Sequence, residues 1–271
     1  MIVYLNGRFV PEEQACVSIH DRGFLYGDGL FETIRIYDGE PFLWAEHMQR
    51  LQGGCEALKI RPPLSSNEMK AVLARLIILN RAHDSTARLA LTRGAGPRGY
   101  SPRGADHPTL AMALFPPAKR AGSYKVITSS IRLPSHDPLS RFKHGNKLRQ
   151  LLARAEADER DADEALLLNE RDEVIEGTST NLFWIDRETL YTPPIEGILP
   201  GTTRNYLLRR AEALGIRTKE ANIKLPELLK ADGAFVTSCG IEVMEISHIN
   251  GHAISTSPLT QRLKQEYRPA I

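Results

Sequence analysis

Three blocks of sequence decide the fold that we predict for this chain: Arg-Phe-Lys-His-Gly-Asn-Lys-Leu at 141–148, Glu-Gly-Thr-Ser-Thr-Asn-Leu-Phe at 176–183, and Gly-Ile-Leu-Pro-Gly-Thr-Thr-Arg at 197–204. Residues 147–158 are rich in Leu, Arg, Ala and Glu and predict a strong helix. Short apolar runs bounded by turn residues follow it and predict strands. Because helices and strands alternate along this segment, the sequence predicts a mixed α/β protein.

Length and composition describe an ordinary globular chain. Its 271 residues suffice for two modest domains, and 42% of them are hydrophobic and 25% charged. The formal net charge is only +2 and no basic tract stands out, so we expect neither nucleic acid nor a membrane as a partner. The three cysteines have no paired or metal-binding spacing, and we find no signal peptide or membrane span. We therefore expect a soluble, cytoplasmic protein.

Two domains are predicted within this length. Apolar residues at helical spacing predict helices at 44–60 and 66–80, the second capped by Ser66 or Asn67. Residues 116–122, rich in Pro, Ala and Gly, are the best linker candidate. The predicted parts are a small N-terminal α/β domain at 1–117, a linker at 118–122 and a larger C-terminal domain at 123–271.

Two segments with several glycines are interpreted as loops. Residues 21–29 contain three glycines, which can serve a close backbone approach or a simple turn, and the turn is favoured. Residues 93–104, rich in Gly, Pro and Arg, are long for a loop in a compact domain. Loops of this length are often functional or disordered.

Lys143 and Glu176 are candidates for cofactor chemistry. A lysine that forms an imine must be desolvated and must reach one fixed carbon, and spacing alone favours an ordinary surface lysine. Glu176 follows a short strand and precedes a run of small residues. A carboxylate there can pair with a protonated ring nitrogen or can cap backbone N–H groups of the Thr-Ser-Thr run. The residues alone support the two interpretations of Glu176 equally.

The helix start at 200–203 is the strongest physical signal. Pro-Gly-Thr-Thr before a helix offers unpaired N–H donors, a positive dipole end and hydroxyl groups, all of which suit a phosphate. The alternative is that Thr202 is an ordinary N-cap. Arg50 is either a second phosphate ligand or a solvated residue. Arg98 either holds a carboxylate through two hydrogen bonds or has no such specific role.

Competing chemistries lack their motifs in this sequence. It contains no G-x-x-x-x-G-K-[ST] phosphate loop, no G-x-S-x-G elbow and no H-E-x-x-H pair. We therefore predict neither a P-loop nucleotide site nor a serine hydrolase, and we expect no metal.

These blocks resemble the class IV aminotransferases, the fold type IV enzymes that use pyridoxal 5′-phosphate (PLP). That family includes branched-chain aminotransferases, D-amino acid aminotransferases and 4-amino-4-deoxychorismate lyase. The resemblance extends over nearly the whole chain, in blocks at 21–33, 47–51, 93–100, 143–146, 163–183, 192–204 and 235–244. It implies a two-domain fold whose larger domain contains a pseudo-barrel of short strands. It also implies a homodimer in which the 93–104 loop reaches the neighbouring active site.

The resemblance implies roles for individual residues. Lys143 corresponds to the lysine that forms an imine with PLP and moves a proton between Cα and C4′. Glu176 corresponds to the partner of the pyridine nitrogen, and Leu199 to a leucine that packs under the ring. The implied phosphate ligands are Arg50, Thr202, Thr203, Ser238 and Cys239. The implied substrate-binding residues are Phe31, Arg98 and Tyr100, with Arg98 crossing a dimer interface to hold a carboxylate.

Several departures from the family pattern bear on the substrate. Phe31 and Tyr100 stand where the D-amino acid enzymes have a tyrosine and a histidine, so that carboxylate site is at most partly present. Cys239 replaces a threonine, which leaves a backbone N–H as the expected phosphate contact. The loop at 96–101 is closer to the lyase, whereas residues 237–242 lack the Asn-Ser common in lyases.

We therefore expect amino transfer between an amino acid, D-amino acids included, and a 2-oxo acid, with Lys143 as the covalent link to PLP. The alternative is the lyase reaction, which yields pyruvate and 4-aminobenzoate. A third interpretation is a binding protein without activity on the same scaffold, which the intact Lys143, Glu176 and threonine pair disfavour. The sequence leaves the chirality of the substrate open.

Overall fold

The computed structural model describes residues 1–118 and 122–267, which form two compact units. The first unit contains residues 1–118 and the segment Phe142–Asn146, and the second contains residues 122–141 and 147–267. The predicted linker 118–122 includes Lys119, Arg120 and Ala121, which lie outside the described residues. The predicted domain boundaries therefore stay a prediction.

The first unit is an antiparallel six-stranded sheet with two long helices packed on one face. The strand order is β2-β1-β6-β5-β3-β4. The elements in chain order are β1 Ile2–Leu5, β2 Arg8–Pro11, α1 Arg22–Tyr26, β3 Gly29–Tyr37, β4 Glu40–Pro41, α2 Trp44–Leu58, α3 Ser66–Asn80, β5 Ser85–Thr92 and β6 Thr109–Phe115.

Side-chain alternation along β3 divides its residues between the two faces of the sheet. Leu30, Ile34 and Ile36 are buried in the core formed with α2 and α3. Successive strand residues point to opposite faces, so Phe31 and Thr33 lie on the other face. Glu32 falls on the core face, where it is 0% exposed. A carboxylate in that position requires partners of opposite charge or hydrogen-bond donors.

The second unit is built around a closed barrel of six strands. The strands follow one another as β10-β13-β14-β7-β8-β9, and β9 pairs again with β10, while β11 and β12 extend the sheet beyond β10. The elements in chain order are β7 Tyr124–Leu133, α4 Leu148–Asp158, β8 Glu164–Asn169, β9 Val174–Gly177, β10 Asn181–Asp186, β11 Thr189–Thr192, α5 Thr202–Ala213, β12 Arg217–Glu220, α6 Leu225–Leu228, β13 Gly233–Ser238, β14 Glu242–Ile249, β15 His252–Ala253 and α7 Pro258–Glu266. The predicted mixed α/β class and the C-terminal barrel of short strands are thus confirmed.

Two local predictions were wrong. Residues 21–29 form more than a turn, because Arg22–Tyr26 is a short helix whose N-cap, Asp21, accepts a hydrogen bond from Gly23 N. The helix at 66–80 is capped by Ser65 rather than by Ser66 or Asn67. Ser65 and Glu68 form a reciprocal capping box, which satisfies two backbone N–H groups at once.

A helix that crosses a lipid bilayer must be about 20 residues long and predominantly apolar. Of the helices in residues 1–118 and 122–267, none is both long and apolar enough to cross a membrane.

The capping box at the start of α3 gives a first testable prediction. Replacing Ser65 by alanine removes the side-chain oxygen that accepts the Glu68 N–H, and should lower the free energy of unfolding by about 1 kcal/mol. Asn67→Ala, two residues along the same exposed helix start, is the matched control and should change it by less than about 0.5 kcal/mol. Urea denaturation of the three proteins measures the difference. Equal stabilities of the two variants would contradict the assignment of the cap.

Candidate active site

Lys143 lies on a short segment that extends the sheet of the first unit. The segment Phe142–Asn146 runs beside the start of β3, where Phe31 N donates to Lys143 O at 2.8 Å. Gly145 N donates to Gly29 O at 2.9 Å. These two bonds have the pattern of added strand pairing, so the backbone of Lys143 is fixed by the sheet edge.

The half-buried side chain of Lys143 lies against Phe31. Its ammonium nitrogen is 4.6 Å from the centre of the Phe31 ring. The guanidinium carbon of Arg88, on β5, is 3.4 Å from the same centre. Arg88 pairs with Thr33 and Ala90 with Phe31, so Arg88 and Phe31 are diagonal neighbours on one face of the sheet. Two cations therefore share one aromatic ring, which makes this face locally positive.

Arg50 is held by Glu32 on the core face of β3. Its Nε donates to Glu32 Oε1 at 2.8 Å and its Nη2 donates to Oε2 at 2.6 Å. His47 Nδ1 lies 2.7 Å from Glu32 Oε2. Arg50 and His47 are three residues apart on α2 and so project from the same face of the helix. The guanidinium of Arg50 therefore has a fixed orientation, set by a buried carboxylate.

The charges in this cluster are fixed by their mutual contacts. Burial raises the pKa of Glu32, but hydrogen bonds and charge from Arg50 and His47 outweigh it and lower that pKa to about 2. Burial lowers the pKa of His47, hydrogen bonding and charge from Glu32 raise it, and the charges of Arg50 and Lys143 lower it, so that the net effect is a lowered pKa. An ionised carboxylate only accepts hydrogen bonds, so the Nδ1 of His47 carries the proton that it shares with Glu32.

Glu176 lies at the seam where the barrel of the second unit closes. It is on β9 and pairs with Leu167 on one side and with Asn181 on the other. Its Oε2 accepts a hydrogen bond from Leu199 N at 3.3 Å, and Asn181 Nδ2 donates to Leu199 O at 3.0 Å. The strand end predicted for Glu176 is present, and the structure brings Glu176 and Leu199 together.

The start of α5 has the features of an anion site. Gly201 is the N-cap, and within the described residues no side chain makes a capping hydrogen bond there. The alternative in which Thr202 caps the helix is therefore wrong. A Cβ at Gly201 would lie 2.0 Å from Asn181 Oδ1, so only glycine fits. Thr202 and Thr203 are 5% and 3% exposed. Their hydroxyl groups are two further donors at the start of this 12-residue helix, and the combination suits a phosphate dianion.

Ser238 is the last residue of β13 and Cys239 follows it, and their surroundings connect them to α5. Both residues are half-buried. The Tyr267 hydroxyl lies 3.5 Å from Thr203 Oγ1. Burial raises the pKa of Tyr267, the Thr203 hydrogen bond lowers it, and the charge of Cys239 raises it further. Tyr267 is therefore near both the helix start and the turn after β13.

Arg98 and Tyr100 lie on the long loop between β5 and β6. Both side chains are exposed, Tyr100 to 87%. The ring of Tyr100 meets Tyr26 of α1 edge-on, with 5.5 Å between centroids. The two residues therefore project from the surface of the first unit.

Sequence reasoning missed Glu32, His47 and Arg88. A signal for Glu32 was available, because it interrupts an apolar alternation between Leu30 and Ile34. His47 falls within the helix predicted at 44–60, and only the structure shows its ring bound to Glu32. Arg88 could not be found from sequence, because its neighbour Phe31 comes from a strand whose register only the folded sheet defines.

Comparison with known proteins assigns the chain to an enzyme class. The family model for class IV aminotransferases matches residues 29–249. The chain therefore belongs to the class IV aminotransferase family and is an enzyme of that class. PLP is the cofactor of this class, which confirms the cofactor predicted from the sequence.

Three relatives illustrate the range of activities in the family. A putative branched-chain-amino-acid aminotransferase of Methanocaldococcus jannaschii is 37% identical over 99% of this chain and 96% of its own. The aminodeoxychorismate lyase of Bacillus subtilis is 33% identical over 100% of this chain and 96% of its own. A D-alanine aminotransferase of Bacillus licheniformis is 32% identical over 100% of this chain and 97% of its own. These relatives agree on the family. They include both aminotransferases and a lyase, so they do not identify which of these reactions this chain catalyses.

Solved structures agree with this assignment. The branched-chain aminotransferase of Thermoproteus uzoniensis with norvaline has a TM-score of 0.92 and 30% identity, over 99% of this chain and 93% of that one. The branched-chain amino acid aminotransferase of Escherichia coli has a TM-score of 0.91 and 27% identity, over 97% of this chain and 92% of that one. The fold predicted from the family resemblance is confirmed.

The Glu32 cluster gives a prediction about acid stability. The folded pKa of Glu32 is about 2 against an ordinary value of 4.5, so its stabilising effect is complete above pH 4.5 and is lost as the pH falls towards 2. Glu32→Gln should lower the free energy of unfolding at pH 7 by about 3 kcal/mol, because it leaves Arg50 next to a neutral group in a buried site. The loss should shrink between about pH 5 and pH 2, since that range titrates the wild-type carboxylate.

The control for this prediction is Glu56→Gln, which changes an exposed carboxylate on α2, the helix that carries Arg50. It should leave both the stability and its pH dependence close to those of the wild type. Denaturant titrations at a series of pH values measure both variants. A Glu32→Gln protein whose stability falls in parallel with the wild type through this pH range would contradict the assignment.

Proposed function

We propose that the protein is an aminotransferase that moves an amino group from an α-amino acid to a 2-oxo acid. The observation that carries the proposal is the position of Lys143, which is fixed on the edge of β3 with its ammonium group against Phe31. A lysine that must reach one carbon repeatedly needs a fixed backbone and a partly desolvated amine. The strand pairing supplies the first and the contact with Phe31 contributes to the second.

The donor set of the chain fits PLP. A helix start with a glycine N-cap and two buried threonines suits a phosphate, and a carboxylate at the barrel seam suits a ring nitrogen. We assign phosphate binding to Thr202, Thr203, Ser238, Cys239 and Arg50. Glu32 holds the guanidinium of Arg50 in one orientation, so this ligand needs little reordering on binding.

The remaining roles are those that the resemblance to the family implies. When bound, PLP supplies an aldehyde carbon that condenses with amines and a ring that accepts the electron pair released at Cα. Lys143 would hold bound PLP covalently in the resting enzyme, and its amine would then move a proton between Cα and C4′. Glu176 would accept a hydrogen bond from the ring nitrogen and so keep the proton there. Leu199 would pack against the ring.

We assign substrate binding to Phe31, Arg98 and Tyr100. Arg98 is a planar guanidinium on an exposed loop, which suits a carboxylate through two parallel hydrogen bonds. Phe31 offers an apolar surface beside Lys143 for the substrate side chain. Tyr100 lies two residues from Arg98 on the same exposed loop, next to the proposed carboxylate site.

A donor screen of the purified holoenzyme tests the proposed activity. L-Leucine and D-alanine, each with 2-oxoglutarate, cover the two aminotransferase activities named among the relatives. The proposal predicts consumption of at least one donor that depends on the 2-oxo acid. The lyase remains a second candidate, because the loop at 96–101 is closer to the lyase pattern and the B. subtilis relative is a lyase. Release of pyruvate and 4-aminobenzoate from aminodeoxychorismate, without amino transfer, would establish the lyase instead.

Replacing Lys143 by alanine tests its proposed role. The variant should lack the visible absorption band of lysine-bound PLP and should lose at least about 10³-fold in amino transfer, because both the covalent link and the proton carrier are gone. Lys147→Ala, four residues along the chain, is the matched control and should keep the band. Absorption spectra and single-turnover rates measure both variants. A Lys143→Ala protein that retains the band would show that another amine holds the cofactor.

We further propose that the protein is a cytoplasmic homodimer in which the 93–104 loop reaches the neighbouring active site. Support comes from large apolar side chains exposed on the first unit near α1. These side chains are Val17, Ile19, Phe24, Leu25 and Tyr100. Exposed apolar surface of this kind, in one region, is typical of an interface with another protein.

Light scattering after size exclusion tests the dimer. The wild type should have twice the chain mass of 30.3 kDa. Phe24→Ser removes a ring that is 75% exposed and should weaken the dimer by about tenfold or more in Kd. Ile78→Ser, at a position 70% exposed on α3, is the control and should leave the mass unchanged. A wild type that elutes at 30.3 kDa across the micromolar range would contradict the proposal.

A further inference from the structure

Arg22 of α1 binds three consecutive carbonyl groups of the 93–104 loop. Its Nη1 donates to Gly99 O at 2.8 Å and to Ser101 O at 3.1 Å, and its Nη2 donates to Tyr100 O at 3.0 Å. Its Nε donates to Asp28 at 2.9 Å. The residue is 3% exposed, and each of its three side-chain nitrogens makes at least one of these hydrogen bonds.

Such an arrangement restricts the loop strongly. A guanidinium is a planar, rigid fork of donors, so three successive carbonyls can bind it only if the backbone turns all three towards it. Gly99 adopts φ 109°, a left-handed value that glycine permits and other residues rarely adopt. The contacts with Arg22 therefore restrict the loop conformation at residues 99–101.

Tyr26, one turn after Arg22 on α1, binds the preceding peptide group of the same loop. Its hydroxyl accepts a hydrogen bond from Gly99 N at 3.1 Å. The Arg22 guanidinium lies over the Tyr26 ring, 5.0 Å from its centre. Gly99 is thus held through both its N–H and its C=O by two residues of one short helix.

The helix that carries these residues is itself anchored to the sheet. Its N-cap, Asp21, accepts hydrogen bonds from the hydroxyls of Thr92 and Thr109 at 2.9 and 2.7 Å. A Cβ at Gly23 would lie 2.2 Å from the Thr92 methyl carbon, so α1 approaches β5 as closely as a helix can. The positions of Arg22 and Tyr26 are therefore fixed relative to β5 and β6.

A shared carboxylate completes the anchor. Asp28 accepts from Arg22 and also from Arg93, whose Nη2 donates to Leu58 O at the end of α2. Burial raises the pKa of Asp28, but the hydrogen bonds and charges of Arg93 and Arg22 outweigh it and lower that pKa. The ionised carboxylate offsets part of the charge of the two buried guanidinium groups.

We propose that Arg22 and Tyr26 are positioning residues that latch the 93–104 loop and thereby set how Arg98 meets the carboxylate of the amino acid substrate. The hydrogen bonds of the latch begin at Gly99, directly after Arg98. Loss of these bonds would therefore free the backbone that carries the Arg98 side chain. A free loop must be ordered at the moment of binding, whereas a loop held in advance avoids that entropic cost. The proposal rests on the substrate-binding role assigned to Arg98 above.

Hydrogen exchange of the holoenzyme tests whether the latch holds the loop. Arg22→Gln removes the donors to three carbonyls, and Tyr26→Phe removes only the acceptor for Gly99 N and leaves the buried guanidinium in place. In both variants the amides of residues 96–104 should exchange about tenfold faster or more. Arg103→Gln, an exposed position on the same loop, is the matched control and should exchange as the wild type does. Wild-type exchange in both latch variants would overturn the proposal.

Steady-state kinetics test whether the latch acts through Arg98. Arg22→Gln and Tyr26→Phe should raise the KM for the amino donor about tenfold, with a smaller change in kcat and an unchanged Kd for PLP. In an Arg98→Gln background, Arg22→Gln should have little additional effect on KM, because two residues that act through one contact are not additive. Arg22→Lys, which keeps one charged donor, should restore part of the wild-type KM.

These readouts separate the two hypotheses. Faster exchange with an unchanged KM in the latch variants would overturn the latch as a positioning device. An Arg98→Gln protein with wild-type KM would show that the role assigned to Arg98 is wrong. In that case a raised KM in the latch variants would support the latch, acting through another residue of the loop, and an unchanged KM would overturn it as well.

Discussion

The hydrogen bond from the Phe31 amide to the Lys143 carbonyl is the contact on which the proposed chemistry depends. It joins the start of β3 to a segment far away in sequence and places the lysine on the edge of a rigid sheet. A flexible loop would leave the origin of the side chain free to shift. Strand pairing does not, because its donors and acceptors must align along the backbone. The precision that covalent catalysis requires therefore comes from the main chain.

The alternation of a single strand organises two parts of the site. Phe31 faces the side of the sheet where Lys143 and Arg88 lie, and the next residue, Glu32, faces α2 and holds Arg50. A shift of one residue in the register of β3 would exchange these faces and bury the aromatic ring in place of the carboxylate. Leu30, Ile34 and Ile36 prevent that shift, since it would also expose three core residues. The packing of the core thus fixes the charge pattern of the site.

Much of the fold could be predicted because it depends on local pattern. The helix at 66–80 has the predicted bounds, since apolar periodicity defines it. The short helix α1 was missed because the three glycines of residues 21–29 indicate a turn, while Asp21 stabilises the helix by binding two distant threonines. The closure of β9 on β10 likewise depends on long-range pairing that no local pattern contains.

Some site residues could likewise be identified from local sequence, and others could not. The helix start at Gly201 could be identified from sequence, because a glycine before two threonines and a helix is a local signal. Glu32, His47 and Arg22 have their roles only through partners on other elements, and a single sequence gives no sign that an arginine or a glutamate is buried. Substrate preference depends on side chains around Phe31 and on the 93–104 loop, and so it requires experiment.

Borohydride reduction of the holoenzyme, followed by digestion and mass spectrometry, tests the central claim most directly. Reduction makes the bond between the cofactor carbon and its lysine permanent, so the modified residue can be read from the fragment masses. The account predicts the added phosphopyridoxyl mass on Lys143 alone. The same mass on Lys147 or on another lysine, or its absence from every peptide of a protein that has bound PLP, would contradict it.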